Sequence, residues 1–395
     1  MKRSVLCILV LTLVFAGSAT LASAQTPPVF QLGFKALADQ LPASVVGVPT
    51  ENEHFNLSNG NSEQHTTNGL MVWRKADNWT AYTNGYMTWI NGPNGIQSRL
   101  NTDRFDWEAA TPAAPAPSGS IPSFSHVFII VMENKGYSEI IGSAEAPYIN
   151  QLAGTYASAT HYYAISHPSL PNYLALASGS TQGLTSDCSN CSFNVRNMVD
   201  QLEGQQKSWK AYMEDVPDPC FNGVSAGPVD SVGSPLYARK HNPWMYFKDI
   251  SGNPQRCNQV VPLTQFTSDL QKNQLPDFVW ITPNLVHDMH DGSIRDGDSW
   301  LASFVPQILD SAAWKDNGVL FVLWDEGQGD AGCCGDASGG QTLALVIAAK
   351  GKRAFQSEVD YTHYSVLRTI EEGWQLGILG GAGDPGTLPM ADFFR

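Results

Sequence analysis

Positive charge is scarce in this chain. Its 395 residues carry 23 Lys and Arg against 37 Asp and Glu, for a net charge of −14. That balance argues against a nucleic-acid backbone or an anionic membrane as a main partner. It also sets a condition: a phosphate ester is repelled by such a surface, so a site for one needs a local positive charge such as a metal ion. Long apolar runs are missing too. Beyond the leading segment, nothing approaches the roughly 18 uninterrupted apolar residues that read as a membrane span. Cys188-Ser-Asn-Cys191 has no second C-x-x-C pair, which argues against a zinc ribbon.

The first 24 residues read as a secretory signal. Lys2 and Arg3 precede a mostly apolar core from Val5 to Ala16, and Ala22-Ser23-Ala24 offers a cleavage site. Export is the expectation, and cleavage makes the remainder two charges more negative. Cys7 lies in this segment. The other six cysteines then suggest disulfides in an oxidising compartment, among about fifteen possible pairings. The pairing expected is Cys188–Cys191, Cys220–Cys257 and a vicinal Cys333–Cys334.

From residue 25 to 108 the texture is short, turn-punctuated and rich in Trp, Asn and Gly. Asn68-Gly69, Asn84-Gly85, Asn91-Gly92 and Asn94-Gly95 separate strand-like runs such as Leu70–Trp73 and Tyr86–Trp89, a hairpin signal. A small β-rich module is expected, with Trp73, Trp79 and Trp89 serving either as its core or as platforms for sugar rings. Ala109 to Pro122 reads as a semi-stiff linker. From residue 123 to 395, strand-like runs (Val127–Met132, Asp277–Thr282, Val319–Trp324, Leu343–Ala348) alternate with helical ones. Val195, Met198, Val199 and Leu202 have helical spacing, as do Val366, Leu367, Ile370 and Trp374. The fold class that follows is α/β: a doubly wound, mostly parallel sheet between helices, with the β-rich module at the N-terminus.

The run His126–Asn134 organises the second part. Its six apolar residues Val127–Met132 read as a central strand buried on both faces, and it ends in Glu133 and Asn134. Val319–Trp324 ends likewise in Asp325-Glu326-Gly327. Ligands gather at the carboxyl ends of strands in open α/β sheets, and three carboxylates with an amide suit a hard cation. Ser169, in His167-Pro-Ser-Leu-Pro-Asn-Tyr173, falls just before a helix, where N–H groups favour an anion. It is either a cap or a nucleophile awaiting activation. A third cluster, His287-Asp288-Met289-His290-Asp291, follows the strand-like Asp277–Thr282. His241 and His363 stand apart as weaker candidates.

These blocks, with Gly297-Asp-Ser-Trp-Leu301, Trp324-Asp-Glu326 and Thr362-His-Tyr-Ser-Val-Leu-Arg-Thr-Ile-Glu371, resemble the bacterial and fungal phosphoesterase family. It includes secreted acid phosphatases and phospholipases C within the alkaline-phosphatase-like superfamily. The resemblance implies a divalent metal held by Glu133, Asn134, Asp325 and Glu326. It makes Ser169 the phosphoryl acceptor and Asn172 a phosphate contact, and it leaves His290 to touch phosphate or protonate the leaving group. A second metal would fall to Asp288, Asp291 or His290, and His363. Asp288 and His290 are only two apart, however, and Glu326 replaces the expected histidine, so one hard cation fits at least as well. Upstream, Leu32-Gly-Phe34, Gly47-Val-Pro49 and Gly69–Trp73 resemble LGFP-type repeats of bacterial surface proteins, which implies a wall- or glycan-associated accessory role.

The reading is a secreted, metal-dependent phosphomonoesterase with a phosphoserine intermediate and a phosphate-ester substrate. A phosphodiesterase or phospholipase C of the same family is the nearer alternative. A glycan-binding surface protein is a different class, as is a metal-free serine esterase using Gly297-Asp298-Ser299 and Asp360–His363.

Overall fold

The computed structural model describes residues 27–55, 61–74, 78–101, 105, 120–334 and 337–394. The expected signal at 1–24 and the linker up to residue 119 lie outside the described residues.

The N-terminal part is a six-stranded antiparallel sheet in simple chain order, from His54–Phe55 to Gly95–Leu100. It is not purely β. Helix Leu32–Ala38 lays Phe34 and Leu37 on Met71 and Tyr82, so Phe34 of the Leu32-Gly-Phe34 segment belongs to the module's core while Leu32 is exposed. Trp73 and Trp89 pack against that core, and the Arg74 guanidinium sits 5.3 Å over the Trp79 ring. All three tryptophans are half-buried.

The larger part is built on a nine-stranded sheet. Its strands run in the order Val260–Pro262, Trp209–Met213, Phe278–Thr282, Val127–Met132, Val319–Trp324, Gln341–Ala348, Ala157–Tyr163 and Phe355–Ser357, with Tyr361–Thr362 beside Ala157–Tyr163. All neighbours pair parallel except Gln341–Ala348, which is antiparallel to both strands flanking it. The two strands read as central lie next to each other, in register from Val127–Val319 to Met132–Trp324.

Their continuous apolar composition follows from burial on both faces. Side chains alternate across a strand. Val127, Ile129, Val131, Val319, Phe321 and Leu323 join one core layer, while Phe128, Ile130, Met132, Leu320, Val322 and Trp324 join the other. The first layer is covered by helices Ser169–Ser178, Met198–Gly204 and His363–Gly373, and the second by Pro147–Thr155 and Ile294–Asp310. Among the helical expectations, Val366, Leu367 and Ile370 are buried as spaced. Val195 is not: Asn197 caps the helix ahead of Met198 and leaves Val195 exposed. Cys188–Cys191, Cys220–Cys257 and Cys333–Cys334 are paired. Among the described residues, no helix is long and apolar enough to cross a membrane.

Candidate active site

Strand parity places the first two acids. Glu133 and Asp325 follow Val131 and Leu323 by two positions, so both turn to the layer that holds helix Ser169–Ser178. The strand tips are tied together: Asp325 N donates to the Met132 carbonyl (2.9 Å), and Asn134 N donates to Asp325 Oδ1 (3.0 Å). Asn134 takes a left-handed φ of 53°, which asparagine tolerates. Gly327 lets the second tip turn away, because a Cβ there would come within 2.4 Å of the Gln341 carbonyl oxygen.

Ser169 opens its helix but caps nothing. No side-chain cap bond forms at that end. Its hydroxyl instead donates to Glu133 Oε2 at 2.9 Å. The serine is 1% exposed, and Glu133 and Asp325 are fully buried. Tyr173, one turn along the same helix, donates its hydroxyl to Glu133 Oε1 (2.7 Å) and stacks on the His241 ring at 5.4 Å.

Asn172 is placed differently from a phosphate contact. Its Oδ1 accepts the N–H groups of Ile165 and Ser166 (both 3.0 Å), and its Nδ2 donates to the carbonyls of Ser166 (2.7 Å) and Pro168 (3.3 Å). With every polar atom engaged, it braces the turn that presents Ser169. His363 is likewise committed. Nε2 donates to the Asp325 carbonyl (2.6 Å) and Nδ1 meets the Tyr162 hydroxyl (2.7 Å), so it supports the strand tip from behind.

The third cluster folds onto the same acids. His241 Nδ1 bonds Asp288 Oδ2 (3.1 Å), and its Nε2 lies 3.1 Å from Glu133 Oε1. His290 Nδ1 bonds Asp291 Oδ1 (2.6 Å), and Lys240 donates to His290 Nε2 (3.0 Å). Glu326 is held by His167, whose Nδ1 reaches Glu326 Oε2 at 2.5 Å while Nε2 donates to the Gly329 carbonyl (3.0 Å). Both His167 ring nitrogens thus face oxygens. Its pKa is raised: burial works against the charge, but the Gly329 and Glu326 bonds prevail.

Electrostatically the centre is short of cations. Burial, then Asp325 and Asp288, pushes Glu133 well above the usual carboxylate range. Burial, then Glu326, raises Asp325 to about 7. Asp288 and Glu326 are raised too, burial leading in each. The pKa values of His241 and His290 are lowered, first by burial and then by Lys240.

Two buried atoms test whether a metal suits these residues. Asp325 Oδ2 has no hydrogen-bond partner, and neither has His241 Nε2, although Glu133 Oε1 lies close by. With Nδ1–H donating to Asp288, Nε2 presents a lone pair to a carboxylate oxygen, and two acceptors so placed call for a cation. The ligand atoms of Glu133, His241 and His290 all lie within 4.8 Å of one another. Oxygen and imidazole donors suit a borderline or hard divalent ion. The residues fit.

His241, a weak candidate in the sequence, thus stands at the centre. Tyr173, His167, Lys240 and Asp187 were not singled out. A signal for Lys240 existed: Arg239-Lys240-His241 is a basic run in an acid-rich chain. The Gly297-Asp298-Ser299 fragment belongs elsewhere, since Asp298 accepts the N–H groups of Ile149 (2.8 Å) and Tyr148 (3.2 Å) at the start of a helix.

A serine hydroxyl among buried carboxylates, at a helix mouth beside parallel strand tips, is an arrangement an esterase can use once a cation joins it. Comparison with known proteins narrows the class. Residues 143–377 match the Phosphoesterase family, and the chain belongs to it: it is a hydrolase acting on phosphate esters. It is 34% identical over 279 residues to a phosphatidylinositol-3-phosphatase of Mycobacterium tuberculosis, covering 70% of this chain and 85% of that protein. It is 29% identical over 274 residues to an acid phosphatase of Aspergillus fumigatus, covering 68% of this chain but 59% of the fungal one. A protein of the alkaline phosphatase superfamily from Vibrio parahaemolyticus aligns over 73% of this chain and 75% of that one, at 12% identity and a TM-score of 0.45.

Proposed function

We propose that this protein is a secreted, divalent-metal-dependent phosphomonoesterase in which Ser169 is the nucleophile. The observation that carries the reading is the 2.9 Å bond from Ser169 Oγ to Glu133, beside the partnerless oxygen of Asp325. Ser169 Oγ attacks phosphorus in line, the ester P–O bond breaks, and the hydroxyl proton has Glu133 Oε2 as its acceptor. Water then cleaves the phosphoserine. Glu133, His241, His290 and Asp325 are the residues to hold the ion. When bound, it would lower the serine pKa and neutralise charge on the phosphoryl oxygens. Asn134 and Glu326 complete the strand tips around it, with Glu326 already countered by His167.

Export is supported by the paired cysteines and by the apolar leader, and monoester preference by the acid phosphatases among the relatives. The test is hydrolysis of a monoester and a diester by chelator-stripped and metal-reconstituted protein, beside Ser169→Ala. Metal should restore monoester turnover, and Ser169→Ala should lose roughly a thousandfold or more. Acid-quenched protein should carry phosphate on Ser169. Full activity in the alanine variant refutes the reading.

A further inference from the structure

The 3₁₀ turn Arg239–His241 sends three consecutive basic side chains in three directions. Arg239 leaves the site: its guanidinium lies 4.7 Å from the Tyr246 ring and bonds Asn222 and the Ser189 carbonyl. His241 enters the carboxylate cluster. Lys240 goes between, and its ammonium is held at two points, His290 Nε2 (3.0 Å) and Asp187 Oδ2 (3.1 Å).

Asp187 is itself fixed to the machinery. Its other oxygen accepts Leu170 N at 3.0 Å, in the first turn of the ten-residue helix that begins with Ser169. A carboxylate bridging a helix-mouth N–H and an ammonium thus sits one residue from the nucleophile. N–H groups at a helix N-terminus and a fixed cation are the two things a phosphoryl group takes from a protein. Lys240 also lies within electrostatic reach of Glu133 and Asp325. Its side chain is 26% exposed, so solvent and substrate can reach it.

We infer that Lys240 is a substrate-binding residue whose ammonium contacts the non-bridging oxygens of the phosphoryl group bound at Ser169, and that Asp187 is the residue that positions it. The physical need is plain. A phosphomonoester dianion must approach buried Glu133, Asp288, Asp325 and Glu326, and a metal ion offsets only part of that charge. A lysine already held by Asp187 supplies the rest. The inference rests on the phosphoesterase reading of the same site.

The experiment measures inorganic phosphate, both as a competitive inhibitor of monoester hydrolysis and by the thermal shift it produces, in Lys240→Met, Lys240→Arg and Asp187→Asn. Losing a charge-assisted contact should weaken phosphate roughly ten- to hundredfold in Lys240→Met. Lys240→Arg should recover most of this. Asp187→Asn should fall between the two, because the lysine stays but is no longer held. Mn²⁺ titrated alone provides the opposite sign: Lys240→Met removes a positive charge beside the candidate ligands, so it should bind Mn²⁺ at least as tightly as wild type.

Phosphate inhibition within twofold of wild type in folded Lys240→Met overturns the inference. If that variant does not fold, Asp187→Asn decides, and an unchanged phosphate constant there overturns it equally. Wild-type protein that hydrolyses no monoester with any divalent ion refutes the enzymatic reading instead, so the two failures are distinct.

Discussion

Asp325→Asn offers the sharpest check on a cation-hungry centre, because metal should oppose its expected effect. Asn retains an oxygen for the Asn134 N–H and removes the charge from the buried, partnerless Oδ2. In the metal-free protein, burial and Glu326 raise Asp325 from 3.8 to about 7. At about 1.4 kcal/mol per pH unit, ionising it in place costs up to roughly 4 kcal/mol. The folded pKa is the raised one, so the folded state binds the proton more tightly than the unfolded state. The associated stability is complete below about pH 4 and is lost as pH rises through 7. An asparagine has nothing to lose. Metal-free Asp325→Asn should therefore match wild type near pH 4 and exceed it near pH 8 by several kcal/mol, at roughly 2–4 °C of thermal midpoint per kcal/mol. Adding metal narrows the gap near pH 8. Wild type should gain about 2.7 kcal/mol at a hundredfold excess over its dissociation constant, and the variant should gain little. Thermal melts at the two pH values, with chelator and with Mn²⁺, make the comparison. A variant less stable than wild type in chelator near pH 8, or a gap independent of pH, contradicts the reasoning.

Two further outcomes follow from residues away from the ion. Asn172→Ala frees the buried N–H of Ile165 and the part-buried N–H of Ser166. It should cost roughly 2–4 kcal/mol and lower turnover by displacing Ser169. A variant with wild-type stability and weakened phosphate binding would restore the phosphate-contact role. Glu371 provides a pH signature remote from the centre. Burial raises it to about 8, although it accepts Gln201 Nε2 and Leu379 N. Its contribution is present below about pH 4.5 and lost as pH climbs through 8. Glu371→Gln should therefore flatten the alkaline decline in thermal midpoint while leaving kcat unchanged.

Much of the centre was legible in the sequence because parity and burial are local. Six apolar residues before Glu133 and before Asp325 meant strands buried on both faces. Their common length and endings brought the two acids to one rim, and the proline-flanked Ser169 marked a helix start. The helix at Leu32–Ala38 was missed inside a turn-rich stretch, because seven residues are too few to outweigh the surrounding hairpin signals. Asn172 was read as a ligand because its type suits one. Its four hydrogen bonds run to backbone groups that no residue pattern announces.

What the sequence determined by itself was the layered sheet, the acidic strand tips and the serine at a helix mouth, since each is recorded in the spacing of neighbouring residues. What only the tertiary structure decided was the company those groups keep: His241 against Glu133, His167 on Glu326, and Lys240 strung between Asp187 and His290. Charges complement one another across folded distances without any period along the chain, so their pairing becomes visible only once the chain has closed on itself.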